Sequence, residues 1–101
     1  MDNYYGTIFS IRNYKDNTLI FITDTTQPLL SRRFLQIRKY HNKSVWFKKF
    51  YENVDNDPDG WENWYLQKEE VFNTGNMNTM NKRLMEISQS IGTLNPNYKI
   101  K

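Results

Sequence analysis

Residues 19–34, LIFITDTTQPLLSRRF, decide how this chain folds. The first five read as the end of a strand, rich in β-branched and aromatic residues. Asp24, Thr25 and Thr26 are capping types, and Pro28 suits the first turn of a helix. Leu30, Phe34 and Ile37 then recur at helical spacing, with Arg32, Gln36 and Lys39 on the other side. A strand that leads directly into a helix carrying Arg32 and Arg33 sets guanidinium groups beside the strand's displayed face. Such a junction suits the binding of a phosphate.

Upstream, residues 4–12, YYGTIFSIR, alternate as a strand, Ile8 with Ser10 and Phe9 with Ile11. NYKDN, residues 13–17, supplies turn residues, and residues 18–23, TLIFIT, form the return strand of an antiparallel hairpin. Downstream, His41 and Asn42 interrupt the helical pattern. Val45, Trp46, Phe47, Phe50 and Tyr51 then make an aromatic helix, with Asn42 as its expected cap. Residues 53–60, NVDNDPDG, read as a loop. Residues 61–72, WENWYLQKEEVF, read as a third strand with Trp64, Leu66 and Val71 inward. After a loop at 73–78, Thr79 caps a last helix along which Met80, Leu84, Ile87 and Ile91 align, and Gly92 ends it. Residues 94–98 are an extended tail. The order β-β-α-α-β-α predicts an α+β fold: a three-stranded antiparallel sheet covered by helices in one layer pair. A length of 101 residues predicts a single domain over residues 1–101.

Composition excludes several classes. There is no cysteine, so disulfides and thiolate metal sites are ruled out. No apolar run approaches the roughly 20 residues of a membrane span. The opening MDNYYGTIF lacks the basic and apolar regions of a secretory signal, so an intracellular (cytoplasmic or nuclear) or intravirion location is expected rather than secretion. The net charge of +3 hides a segregation. Arg32, Arg33, Arg38, Lys39, Lys43, Lys48 and Lys49 follow one another with no acid between them. Glu52, Asp55, Asp57, Asp59, Glu62, Glu69 and Glu70 then come against one lysine, Lys68. A basic block binds phosphate backbones or acidic protein surfaces, and equally serves as a solvated helix face. The alternating Asp55, Asp57 and Asp59 do not make a calcium loop, because Pro58 and Gly60 are misplaced and no glutamate follows at the twelfth position.

Several segments, in this order, resemble the GIY-YIG endonuclease domain over nearly the whole chain. Tyr5-Gly6-Thr7-Ile8-Phe9 resembles the first strand of that family, and Phe21-Ile22-Thr23 resembles its Tyr-Ile-Gly. Residues 25–29, followed by Arg32-Arg33-Phe34, resemble its turn and arginine helix. Asn63-Trp64-Tyr65-Leu66 resembles its third strand, and Asn81-Lys82-Arg83-Leu84 its later helix. Thr93-Leu94-Asn95-Pro96-Asn97-Tyr98 resembles its closing segment. The style is closest to compact, divergent copies in large DNA viruses.

The resemblance implies phosphodiester cleavage with a divalent metal in active members. Two tyrosines organise the attacking water. An arginine neutralises charge developing on the phosphate. A glutamate holds one magnesium or manganese ion. Of these positions this chain keeps Arg33. Phe9 and Phe21 stand at the two tyrosines, Thr23 at the glycine, Ile37 at an assisting histidine, and Leu84 at the metal-binding glutamate. Glu86 lies two residues after Leu84, about 200° around the helix. His41 matches a histidine that some members carry before the second helix.

The expectation is therefore a catalytically degenerate binding or structural protein with no metal or other cofactor. Its basic face would contact nucleic acid or an acidic protein surface. Self-association against the acidic segment and a place among virion components are further expectations. The alternative is a nuclease with relocated catalytic groups, using magnesium or manganese.

Overall fold

In the computed structural model, which describes residues 5–73 and 76–96, the chain forms β1 (Gly6–Asn13), β2 (Ile20–Thr25) and α1 (Leu30–Lys39). It continues through α2 (Val45–Asp55), a 3-10 turn at Gly60–Asn63, β3 (Trp64–Phe72) and α3 (Met77–Ile91). This is the expected α+β order. The strands make one antiparallel sheet in the order β2-β1-β3. The expected strand start at Tyr4, loop residues 74–75 and the tail from residue 97 lie outside the described residues.

The β1–β2 turn is closed by its own side chains. Asn13 Oδ1 accepts from the backbone N–H groups of Lys15 and Asp16, both at 2.9 Å, and Asp16 Oδ1 accepts from Thr18 N at 3.0 Å. Such side-chain-to-backbone bonds are why Asn and Asp favour turns.

Alternation then sorts the strand residues onto two faces. Phe9, Ile11 and Phe21 pack with Ile37 of α1 and with Phe47, Phe50, Tyr51 and Val54 of α2. Ile8, Ile20 and Ile22 pack on the opposite face with Met80 and Leu84 of α3. The expectation of one layer pair is corrected: the sheet lies between two helical layers. The central strand β1 has apolar residues at both parities, so each face needs a cover.

Other boundaries move for identifiable reasons. The expected loop at 53–60 starts later, because α2 runs to Asp55. Val54 is buried one turn beyond Phe50 and Tyr51, and its packing outweighs the weak helix propensity of Asn53 and Asp55. The N-cap of α2 is Ser44; Asn42 instead accepts from Ser44 N at 2.8 Å. The N-cap of α3 is Asn76, whose side chain accepts from Thr79 N at 3.0 Å, so Thr79 receives the cap rather than supplying it. Asp24 and Thr25 belong to β2, and Pro28 sits one residue before Leu29, the N-cap of α1. Val71 is 56% exposed, whereas Phe72 packs against the α3 core. A bulge explains this exchange. Phe9 pairs with Lys68 and Ile8 with Glu70, which leaves Glu69 as an extra residue.

The segment after α3 is not simply extended. Gly92 ends the helix in an ordinary backbone conformation, and a Cβ there would come within 2.7 Å of the Ser88 carbonyl oxygen. The chain then crosses the edge of β2. Leu94 N donates to Ile20 O at 3.0 Å, Thr93 Oγ1 accepts from Ile20 N at 3.0 Å, and Asn95 brackets Ile22. Leu94 ends in the core shared with α1 and α2. Among the described residues no helix is long and apolar enough to cross a membrane.

Candidate functional site

Arg33 owes its position to its neighbours on α1. Leu30, Phe34 and Ile37 turn toward the sheet. One residue is 100° of helix rotation, so Arg33 falls on the flank of that buried stripe. That flank overlooks the end of β2. Arg33 there forms a wall common to three adjoining depressions. The first is a groove of about 380 Å³ between Thr23 and Asp24 of β2, Trp46 and Phe47 of α2, and Asn81 and Leu84 of α3. The second is a polar trough along residues 24–28, joined by Gln36 and Met77. The third is a pocket in the elbow between α1 and α2. Arg33 Nε is buried and has no hydrogen-bond partner among the described residues. A buried donor left in this way is stabilised by any acceptor that reaches it.

The elbow is held by Tyr51. Its hydroxyl donates to Ile37 O at 2.9 Å and lies 3.3 Å from Tyr40 O, two carbonyls at the C-terminal end of α1. Burial pushes the Tyr51 phenol above its usual range, opposed by the Asn42 backbone and by the nearby charge of Arg33. His41 stacks on the Tyr51 ring at 4.1 Å and 20°.

The structure brings some of the expected site residues together and separates others. Arg33 and Leu84 line the same groove. Phe9 and Phe21 do not reach it. Both are fully buried, and Phe21 stacks on Phe50 at 4.6 Å. Ile37 is buried beneath the elbow pocket. Glu86 lies in a separate depression with Glu69, Glu70 and Arg83, where Arg83 Nη1 is 3.5 Å from its carboxylate. It does not line the groove that Leu84 lines. Asp24 is the acidic residue that does. In the sequence Asp24 reads only as a capping type. The available signal was its place directly after Thr23, at the strand end beside the arginine helix.

The seven basic residues do not share one face. Arg33 and Arg38 are five residues apart, about 140° around the helix. Arg38 lies over Phe34 and Trp61, at 5.9 and 5.8 Å from the ring centres. Arg32 and Lys39 point outward from α1, Lys43 stands in the α1–α2 link, and Lys48 and Lys49 are exposed on α2. None of the seven forms an ion pair among the described residues.

The acidic segment serves as a clasp. Asp57 accepts from Asn13 Nδ2 at 3.2 Å and from Asn63 Nδ2, while Asp59 pairs with Lys15. These contacts tie the β1–β2 turn to the loop before β3. No group of three or more His, Cys, Asp or Glu side chains able to hold a metal occurs among the described residues. Comparison with known proteins found no matching family model, no matching curated protein and no matching solved structure.

Proposed function

We propose that this protein is a nucleic-acid-binding domain on a GIY-YIG-like scaffold, with phosphate recognition centred on Arg33 and without strand cleavage. The observation that carries this reading is the placement of Arg33 as the common wall of three depressions, with its Nε buried and, among the described residues, unpartnered. A guanidinium in that setting suits an oxyanion that supplies several acceptors at fixed spacing. Arg32, Lys39, Lys43 and Lys48 add diffuse attraction for a polyanion. Leu84, which lines the groove, is the residue that the GIY-YIG resemblance sets at the metal-binding carboxylate. The core positions Phe9 and Phe21 lack the hydroxyls that would orient water.

One observation favours a second reading. Asp24 and Arg33 line the same groove, an acid and a guanidinium on adjacent elements. If Asp24 served as a relocated ligand for magnesium or manganese, the scaffold would retain metal-dependent cleavage.

A single panel separates the readings: labelled single-stranded, duplex and branched DNA, and RNA, with magnesium or manganese, at two salt concentrations. Salt-sensitive binding without cleavage is the expected result. Metal-dependent cleavage that disappears in Asp24→Asn replaces the first reading with the second. No binding at low salt overturns the nucleic-acid assignment and leaves an acidic protein surface as the partner class to test.

A further inference from the structure

The elbow pocket is distinct in chemistry from the groove it adjoins. It holds about 300 Å³ and is walled by Arg33, Gln36, Tyr40, His41, Phe47 and Tyr51. That volume is at the lower limit for small-molecule sites, room for one nucleotide-sized group and too little for a duplex end. Its aromatic walls are braced. The Tyr51 hydroxyl is bonded to α1, and the His41 ring is held flat on Tyr51. Tyr40 at the rim is 65% exposed, and Lys39 Nζ lies 5.3 Å from its ring centre. An exposed aromatic ring with one cation over it offers its other face as a stacking surface for a nucleobase. Arg33 sits at the junction with the groove, where the phosphate attached to such a base would lie.

From this arrangement we infer that the elbow receives one unpaired nucleotide of a nucleic-acid strand, its base against Tyr40 and His41 and its phosphate on Arg33. A duplex keeps its base faces stacked inside and presents only its backbone to this surface. An unpaired strand presents both groups. The inference rests on the reading of Arg33 as a nucleic-acid phosphate site and adds which form of nucleic acid is bound.

The test is fluorescence anisotropy on the full chain. The probes are a labelled single-stranded DNA, the matching RNA and the matching blunt duplex. The proteins are the wild type, Tyr40→Ala/His41→Ala and Tyr40→Trp. Both altered residues are exposed, so the fold should persist, and circular dichroism checks it. The expected result is tighter binding of a single strand, DNA or RNA, than of duplex. The double variant should lose about tenfold for single strands, the loss of roughly one stacked base. Its duplex affinity should change less than twofold, and Tyr40→Trp should keep single-strand affinity. Equal binding of duplex and single strands, or unchanged single-strand affinity in the double variant, overturns the elbow site and leaves the Arg33 reading in place. Absence of binding to all three probes by the wild type overturns both.

Discussion

Asn95 stands beside Ile22 as a substitute for a fourth strand. Its Oδ1 accepts from the Ile22 N–H at 2.8 Å, and its Nδ2 donates to the Ile22 carbonyl at 2.8 Å. The same carbonyl receives Trp46 Nε1 at 3.0 Å. One amide side chain thus satisfies both outward groups of a buried edge residue, and with Thr93 and Leu94 it shields β2 from pairing with another chain.

Asn95→Ala leaves the Ile22 N–H without its acceptor, while the carbonyl keeps Trp46. A loss of about 1–3 kcal/mol is expected, the cost of an unsatisfied buried donor. Asn95→Asp should cost more, because it removes the donor and places a carboxylate at a site only 7% exposed. Urea unfolding of both variants measures the difference.

Gly92→Ala tests the same junction from the other side. The new Cβ meets Asn95 Oδ1 and the Ser88 carbonyl, and the backbone oxygen cannot move aside cheaply. The expected destabilisation is about 1–3 kcal/mol, or several degrees in thermal midpoint. A neutral result would mean that the turn after α3 shifts without cost.

Tyr51→Phe keeps the packing of the elbow and removes its tether to α1. The expected cost is about 1 kcal/mol. Because the tether also braces the elbow pocket, the variant should weaken single-strand binding more than duplex binding. Paired denaturation and anisotropy measurements on one preparation check both.

Much of this fold is legible in the sequence because its signals are local. The hairpin follows from two alternating runs around NYKDN, and the last helix from Met80, Leu84, Ile87 and Ile91 at helical spacing. The features that escaped depend on partners distant in sequence. Nothing near Asn95 indicates that its side chain will pair with a backbone 73 residues away. The extension of α2 through Asp55 rests on burial of Val54, and the exchange of Val71 for Phe72 on the bulge at Glu69. At the candidate site, the place of Arg32 and Arg33 after the strand is legible, and docking of the helix turns Arg33 to the groove. The companionship of Asp24, and the separation of Arg33 from Arg38, required the helix to be docked.

Acid should loosen the clasp between the β1–β2 turn and the loop before β3. The hydrogen bond and charge of Lys15 hold the Asp59 carboxyl below its usual range, with Asn63 adding to the effect. A carboxyl depressed in the folded state stabilises above its unfolded value, about 3.9, and loses that contribution as pH falls through the folded value. The Asp59 carboxyl should therefore titrate below the ordinary aspartate range by NMR. Lys15→Met or high salt should return it toward that range. The pair is exposed, so global stability near neutral pH should change little.

The central claim is that Arg33 is a phosphate site rather than one charge among seven. Its most direct test compares Arg33→Ala with Arg38→Ala, which removes the same charge from the opposite flank of α1. Anisotropy titrations with one labelled single strand at low salt give the affinities. The account predicts a loss of roughly 10- to 100-fold for Arg33→Ala, the range of a charge-assisted hydrogen bond. Arg38→Ala should lose no more than a few-fold. Equal losses in the two variants, or an Arg33→Ala affinity matching the wild type, would contradict it.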